Sequence, residues 1–363
     1  MPDAHSDLAA RTLVERAVVR VGRGPIQLCS AAGGELIVAL AGGDTTLTVL
    51  DGQTAAIRSR IEVGPSPWNA VADGARVYVA MYTPPPAECL DALQVVDCDA
   101  GRIVATIPLA AESRPKIVVP ALDRRCIYSL NWGNGTITEI DTDAHAARRS
   151  REVGGGPQYG QRWQGTLYVA NGESNDVAMV DEATLTVTQR VGVGRAPERC
   201  VVYKDRQQVY TNNLDDDTLS VVDLELRRES TRIPVGHGPV RITPWDSRGR
   251  DEWAVLCRGS RDGANGSIEL IDSATHQASD TLRLPGPAAN WNWGPGPRHQ
   301  TVYVTLAHEP LLILVDAVRM EVLDTLRLST QPEPAGFGPG IYLSKTGGVF
   351  VASEDSVTFL THG

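Results

Sequence analysis

Seven short apolar runs in this chain end on an aspartate at nearly even intervals, and this recurrence limits the fold more than any other feature. They are "LTVLD" ending at Asp51, "LQVVD" at Asp97, "ITEID" at Asp141, "VAMVD" at Asp181, "LSVVD" at Asp223, "IELID" at Asp272 and "LILVD" at Asp316. The intervals are 46, 44, 40, 42, 49 and 44 residues, and one further step lands on "VTFLT", ending at Thr361. A unit of this length cannot cover its own apolar faces, so successive copies must stack on one another.

Each run is preceded by a second strand, among them "LIVAL", "VYVAM", "LYVAN", "VYTNN" and "VYVTL". Val, Ile, Tyr and Thr dominate these runs, and Gly, Asn or Asp bound them, as strands and turns require. After each aspartate comes a more polar strand such as "LTVTQRVGV", alternating with period two like a half-exposed outer strand. A Gly/Pro turn follows: "VGRGP" (21–25), "VGPSP" (63–67), "VGGGP" (153–157), "VGRAP" (193–197) and "VGHGP" (235–239). Four antiparallel strands per repeat predict an all-β chain folded as a β-propeller. The last repeat supplies three strands and the N-terminus one outer-type strand, "TLVERAVVRVG". Pairing them closes the ring and predicts eight blades, seven being the alternative count. The expected organisation is an N-terminal arm over 1–11 and a single propeller domain over 12–363.

Composition narrows the partners. With 44 acidic against 34 basic side chains the net charge is −10 and no basic run occurs, so neither nucleic acid nor an anionic membrane is expected as a partner. No secretory leader pattern and no apolar run of membrane-spanning length is evident, so a cytoplasmic location is expected. Cys29, Cys126, Cys200 and Cys257 lie in strand-like runs as small buried hydrophobes. Cys89 and Cys98 flank an apparent strand, too far apart for a disulfide.

The runs "VYVTL", "VYTNN" and "LYVAN", coupled to "VVD" and "VGxxP", resemble the YVTN-type propeller repeats over roughly residues 12–363. Propellers of that kind occur as streptogramin-type lyases, lactonases, redox-cofactor domains and cell-surface or scaffold proteins, so the resemblance implies the fold and leaves function open. Eight blades also resemble the haem d1 domain of nitrite reductases, although the CxxCH haem-attachment signature is missing. The paired histidine and glutamate of the metal-dependent lyases are not found either. No cofactor is expected, with a divalent metal left open.

In a propeller the innermost strand begins after the "VGxxP" turn, and that turn shares a face with the loop between the second and third strands. These loops ring the mouth of the central channel. His237, Glu198 and Tyr159 are the candidate proton-transfer groups there. Arg199, Arg241 and Lys116 are candidate anion contacts, Lys116 with the further option of a Schiff-base amine. Asn69, Trp68, Tyr82, Trp291 and Trp293 complete the expected substrate contacts, the tryptophans as stacking surfaces unless they serve inter-blade packing. Two insertions, 81–92 and 257–267, are expected to lean over one mouth, surface decoration being the alternative.

Other residues are set aside. The seven aspartates are expected to accept turn N–H groups on the opposite face. "LDDD" (214–217) lacks the glycine and glutamate of a calcium loop. His308 lacks a second zincin histidine, and His299 is expected on the far face. The chain is thus expected to be a small-molecule enzyme acting at the channel mouth by elimination, cyclisation or isomerisation (a lyase, cyclase or isomerase of biosynthesis) on an anionic, partly planar substrate. The alternatives are a non-catalytic propeller that binds a small molecule or a protein partner, and a haem-type redox propeller.

Overall fold

The computed structural model describes residues 13–259, 265–293, 300–332 and 340–363. They form eight four-stranded antiparallel sheets around a common axis, with no α-helix among them. Blade 1 runs outward from β2 (Pro25–Ala31) through β3 (Leu36–Ala41) and β4 (Thr46–Asp51) to β5 (Ile57–Glu62). The same order repeats through blade 7. The innermost strands of blades 2 to 7 are β6 (Pro67–Asp73), β10 (Pro115–Ala121), β14 (Pro157–Trp163), β18 (Pro197–Tyr203), β22 (Pro239–Trp245) and β26 (Ala288–Trp293).

The count of eight depends on the eighth blade, whose order is β1 (Leu13–Arg20), β32 (Ser356–His362), β31 (Val349–Ala352), β30 (Ile341–Leu343). The first described strand is therefore the outermost strand of the last blade. Leu13 faces His362, Ala17 faces Phe359 and Arg20 faces Ser356, with a bulge between Glu15 and Ala17. The Glu15 carboxylate then accepts from the Ser329 amide and hydroxyl, tying β1 to the neighbouring blade.

Period-two alternation divides each middle strand between two neighbours. In β3, Ile37 and Ala39 pack with Phe350 and Val357 of blade 8, whereas Val38 and Leu40 pack with Val77 and Val79 of blade 2. Eight such apolar clusters fill the eight interfaces. This explains why β3 is apolar and buried at every position, while an outer strand such as β17 (Thr186–Gly192) alternates between exposed and half-buried over most of its length.

The repeated aspartates cap turns. The side chains of Asp51, Asp141, Asp223, Asp272 and Asp316 each accept two backbone N–H bonds from the next turn, and Asp97 and Asp181 accept one. All lie at the end of the mouth-to-far-face strand, away from the "VGxxP" turns. The six cysteines are all free thiols.

Two devices shape the inner strands. In each of the first seven blades a β-bulge falls two residues into the inner strand, as between Pro197 and Arg199 or Pro239 and Arg241. Bulges turn side chains out of the regular alternation, and here they act on the residues expected to carry chemistry. In addition, side-chain amides bolt adjacent inner strands together. Gln27 bonds both backbone groups of Ala70, Asn69 accepts from the Val118 amide, Gln161 accepts from the Val202 amide, and Asn292 donates to the Ile341 carbonyl.

Removing residues 1–20 would leave β32 with an open backbone edge beside Leu360 and Phe359. The truncated chain is expected to self-associate and to lose its single cooperative unfolding transition, as light scattering and urea denaturation would read.

Candidate functional site

The second and third residues of each inner strand make two tiers at the head of the channel. The first tier contains Trp68, Lys116, Gln158 and Glu198; the second contains Asn69, Tyr159, Arg199, Arg241 and Asn290. In a regular propeller blade these positions are small or aliphatic, as Ile26, Val240 and Ala289 are here. Polar and aromatic occupants are concentrated in blades 2 to 7.

Lys116 sits in an aromatic box. Its Nζ lies 4.8 Å from the ring centre of Tyr82 and 5.9 Å from those of Trp68 and Trp132, and it donates a 2.6 Å bond to Gln158 Oε1. Tyr82 meets both indoles edge-on, at 5.1 and 5.7 Å. The lysine is only 4% exposed. Burial pulls its ammonium down to about 8, against the opposing pull of Glu198 and Glu173. Glu198 itself is 6% exposed and its Oε2 has no hydrogen-bond partner.

Beyond Glu198 lies a pair of guanidiniums. Arg199 stacks over the Tyr159 ring at 4.9 Å, and its backbone is fixed by Asn212 and Thr211. Burial first, and then the Arg199 charge, depress Arg241 to about 9, with Glu198 and Tyr159 opposing. An arginine keeps its proton near neutral pH even so. Both arginines line a cavity of about 250 Å³ with Thr243, Trp291, Asn292 and Trp293.

The tryptophans have a second role. Trp245, whose indole donates to the Ala317 carbonyl, packs 4.4 Å from Trp293 and 5.9 Å from Trp291. Trp291 is buried in the cluster between blades 6 and 7, so it is both inter-blade core and cavity wall. Trp293 is half-buried and more open to the cavity.

Four expected contacts stand elsewhere. His237 is 58% exposed on the rim, paired with Asp217 at 2.8 Å, and lines a separate shallow depression with Arg195 and Arg258. It precedes Gly238, whose φ of 64° puts a left-handed kink between it and the inner strand. Asn69 spends its amide on Val118 and Gln27, as a strut between blades. Trp68 and Tyr82 face Lys116 and do not join the arginine cavity. The insertion at 81–92 is pinned to the next turn, where Asp91 accepts from the Glu112 and Arg114 amides and Arg114 donates to the Thr83 carbonyl. The middle of the second insertion, 260–264, and His299 lie outside the described residues. Among the described residues no three His, Cys, Asp or Glu side chains converge as a metal site.

Sequence reasoning missed Trp132 and Trp245. Trp132 opens the loop after "IYSLN" on the mouth face, so a survey of those loops as well as the turns would have found it. Trp245 ends an inner strand and gives no local signal.

The class defined by this fold and mouth is an eight-bladed β-propeller with a charged, tryptophan-walled channel. Among solved structures, BamB from Moraxella catarrhalis is similar over 96% of this chain and 98% of its own, with a TM-score of 0.65 and 12% identity. The dihydro-heme d1 dehydrogenase NirN, in complex with DHE, is similar over 94% of this chain and 75% of its own, with a TM-score of 0.69 and 15% identity. At these identities the likeness shows the propeller fold alone. No family model and no curated protein matches the sequence.

Replacing Lys116 with Met tests the buried amine. Because the folded-state value lies below the ordinary 10.5, the charged form costs stability at every pH below about 8, and the cost fades as pH rises toward 10.5. The stability advantage of Lys116→Met over the parent is expected to be larger at pH 7 than at pH 10, by on the order of 1–3 kcal/mol. Urea denaturation at the two pH values measures it.

Proposed function

We propose that this propeller binds a small, anionic, partly planar molecule in the channel cavity between blades 5 and 7. The observation that carries this reading is the juxtaposition of Arg199 and Arg241 beside the Trp291 and Trp293 rings in one concave space. Two guanidiniums lining one concave space can both contact a carboxylate or phosphate through charge-assisted hydrogen bonds. The indoles supply an apolar wall for a ring. About 250 Å³ falls just below the roughly 300–1,000 Å³ of sites for drug-sized ligands, which favours a ligand of one or two rings. NirN, solved as a complex with DHE, supports only that a propeller of this kind can take a small ligand.

Proton-transfer chemistry is a second reading, favoured by one observation. Glu198 is a buried carboxylate with an unpartnered oxygen, acting electrostatically on both Lys116 and Arg241. In this reading Glu198, with Tyr159, moves the proton in an elimination, cyclisation or isomerisation, and His237 takes no part.

Titration of benzoate and of one- and two-ring aromatic dicarboxylates, followed by calorimetry and tryptophan fluorescence, tests the binding reading. Arg199→Gln and Arg241→Gln are each expected to weaken the best ligand about 10- to 100-fold, the cost of one charged hydrogen-bonding partner. His237→Ala is expected to leave the affinity unchanged. Full affinity in both arginine variants would overturn the reading.

A further inference from the structure

We infer that the channel cavity selects a para-hydroxylated aromatic carboxylate, with the carboxylate on Arg199 and Arg241, the ring against Trp291 and Trp293, and the phenolic hydroxyl on the side chain of Thr243. The inference deepens the binding reading above and rests on it. It names the ligand class and the residue that determines specificity within it.

Strand alternation gives the cavity two walls. Beyond its bulge β22 runs in regular register with β23 (Glu252–Cys257), Arg241 opposite Leu256, Ile242 opposite Val255 and Thr243 opposite Ala254. Arg241 and Thr243 therefore share one face, while Ile242 points the other way, into the cluster between blades 5 and 6. The shared face looks toward blade 7, as does Trp245 two residues on, in the cluster between blades 6 and 7. Trp291 belongs to that same cluster, and Trp293, two residues further along β26, packs against it. One wall is thus Arg241 with Thr243 and the other is Trp291 with Trp293, all four lining the cavity, with Arg199 entering from blade 5.

The spacing along the first wall sets the ligand's length. β22 runs inward from the mouth, so Thr243 lies deeper than Arg241 by two residues of strand, about 7 Å at roughly 3.4 Å per residue. A benzene ring with a substituent at each of two opposite carbons spans such a distance, and a ring lying along this wall faces the indoles across the slot.

Thr243 is also an exception in the repeat. The fifth residue of the inner strand is Cys29, Val71, Val119, Gln161, Val201, Thr243 and Asn292 in blades 1 to 7. The valines pack with the apolar clusters between blades, and the two amides bolt a neighbouring inner strand through Val202 and Ile341. Thr243 does neither. It is half-buried, and its hydroxyl makes no hydrogen bond to any described residue. Asn292, by contrast, spends both ends of its amide, on the Ile341 carbonyl and the Trp293 amide. A threonine hydroxyl both donates and accepts, which complements a phenol. A ligand with hydrogen or methyl at that ring carbon would cover this hydroxyl and leave it unpaired, which is the basis of discrimination.

Calorimetric titration of the full chain with benzoate, 4-hydroxybenzoate, 3-hydroxybenzoate and 4-methylbenzoate tests the inference. The 4-hydroxy compound is expected to bind about 5- to 10-fold tighter than benzoate or 4-methylbenzoate, the gain of one neutral hydrogen bond, and the 3-hydroxy compound to show no such gain. In Thr243→Val, which keeps the shape and removes the hydroxyl, the ratio of 4-hydroxybenzoate to benzoate affinity is expected to fall to about 1, and Thr243→Ser is expected to retain most of it. Because the ratio is read within each variant, a general change in the cavity does not imitate the result. An undiminished ratio in Thr243→Val would overturn the inference, as would a parent chain that binds benzoate with no preference for the 4-hydroxy compound. In either case the binding reading stands and this inference alone fails. If neither these acids nor the dicarboxylates bind, the underlying reading fails with it.

Discussion

Ring closure is the constraint on which everything else in this protein depends. A four-stranded sheet has two apolar faces and no means of covering either, so each blade is stable only between two others. An open row of eight would leave one bare face at each end. Pairing β1 with β32 removes both ends at once, because the chain's first strand becomes the outer wall of its last blade. The interface between blades 8 and 1 is then like the other seven, with Leu28, Ile37, Phe350 and Val357 filling it. The channel follows from closure, and the convergence of residues from blades 3 to 7 follows from the channel.

The channel divides into two regions of different chemistry. In blades 2 to 4 aromatic rings and Gln158 enclose a single amine. In blades 5 to 7 two guanidiniums share a cavity with indoles. Glu198 acts electrostatically on both Lys116 and Arg241. Its carboxylate offsets part of the cost of confining three cations near one another, and its unpartnered oxygen keeps it available for a ligand.

Much of this could be read from the sequence because the repeat carries it. The closing aspartates gave the blade spacing, and the lone outer-type strand at the N-terminus gave the closure. The turn prolines located Lys116, Tyr159, Glu198, Arg199 and Arg241, of which Arg199 and Arg241 line one cavity and Arg199 stacks on Tyr159. What could not be read was set by backbone geometry or by distant partners. His237 is two residues from Pro239, yet the left-handed kink at Gly238 turns it outward to Asp217. Asn69 looks like a ligand contact until Gln27, from the preceding blade, and Val118, from the following one, arrive beside it. Trp132 and Trp245 acquire their roles only from rings on other strands. Local pattern sees neither a kink's direction nor a neighbour forty residues away.

The seven bulges at the start of the inner strands have a consequence for how such a protein changes over time. Each breaks the alternation where an inner strand begins, and the occupants there range from core residues such as Ile117 and Val240 to the polar Glu198 and Arg199 on the same framework. The molecule behaves as a fixed rim with replaceable sockets, in which a new ligand demands new occupants at a handful of positions and leaves the framework as it was.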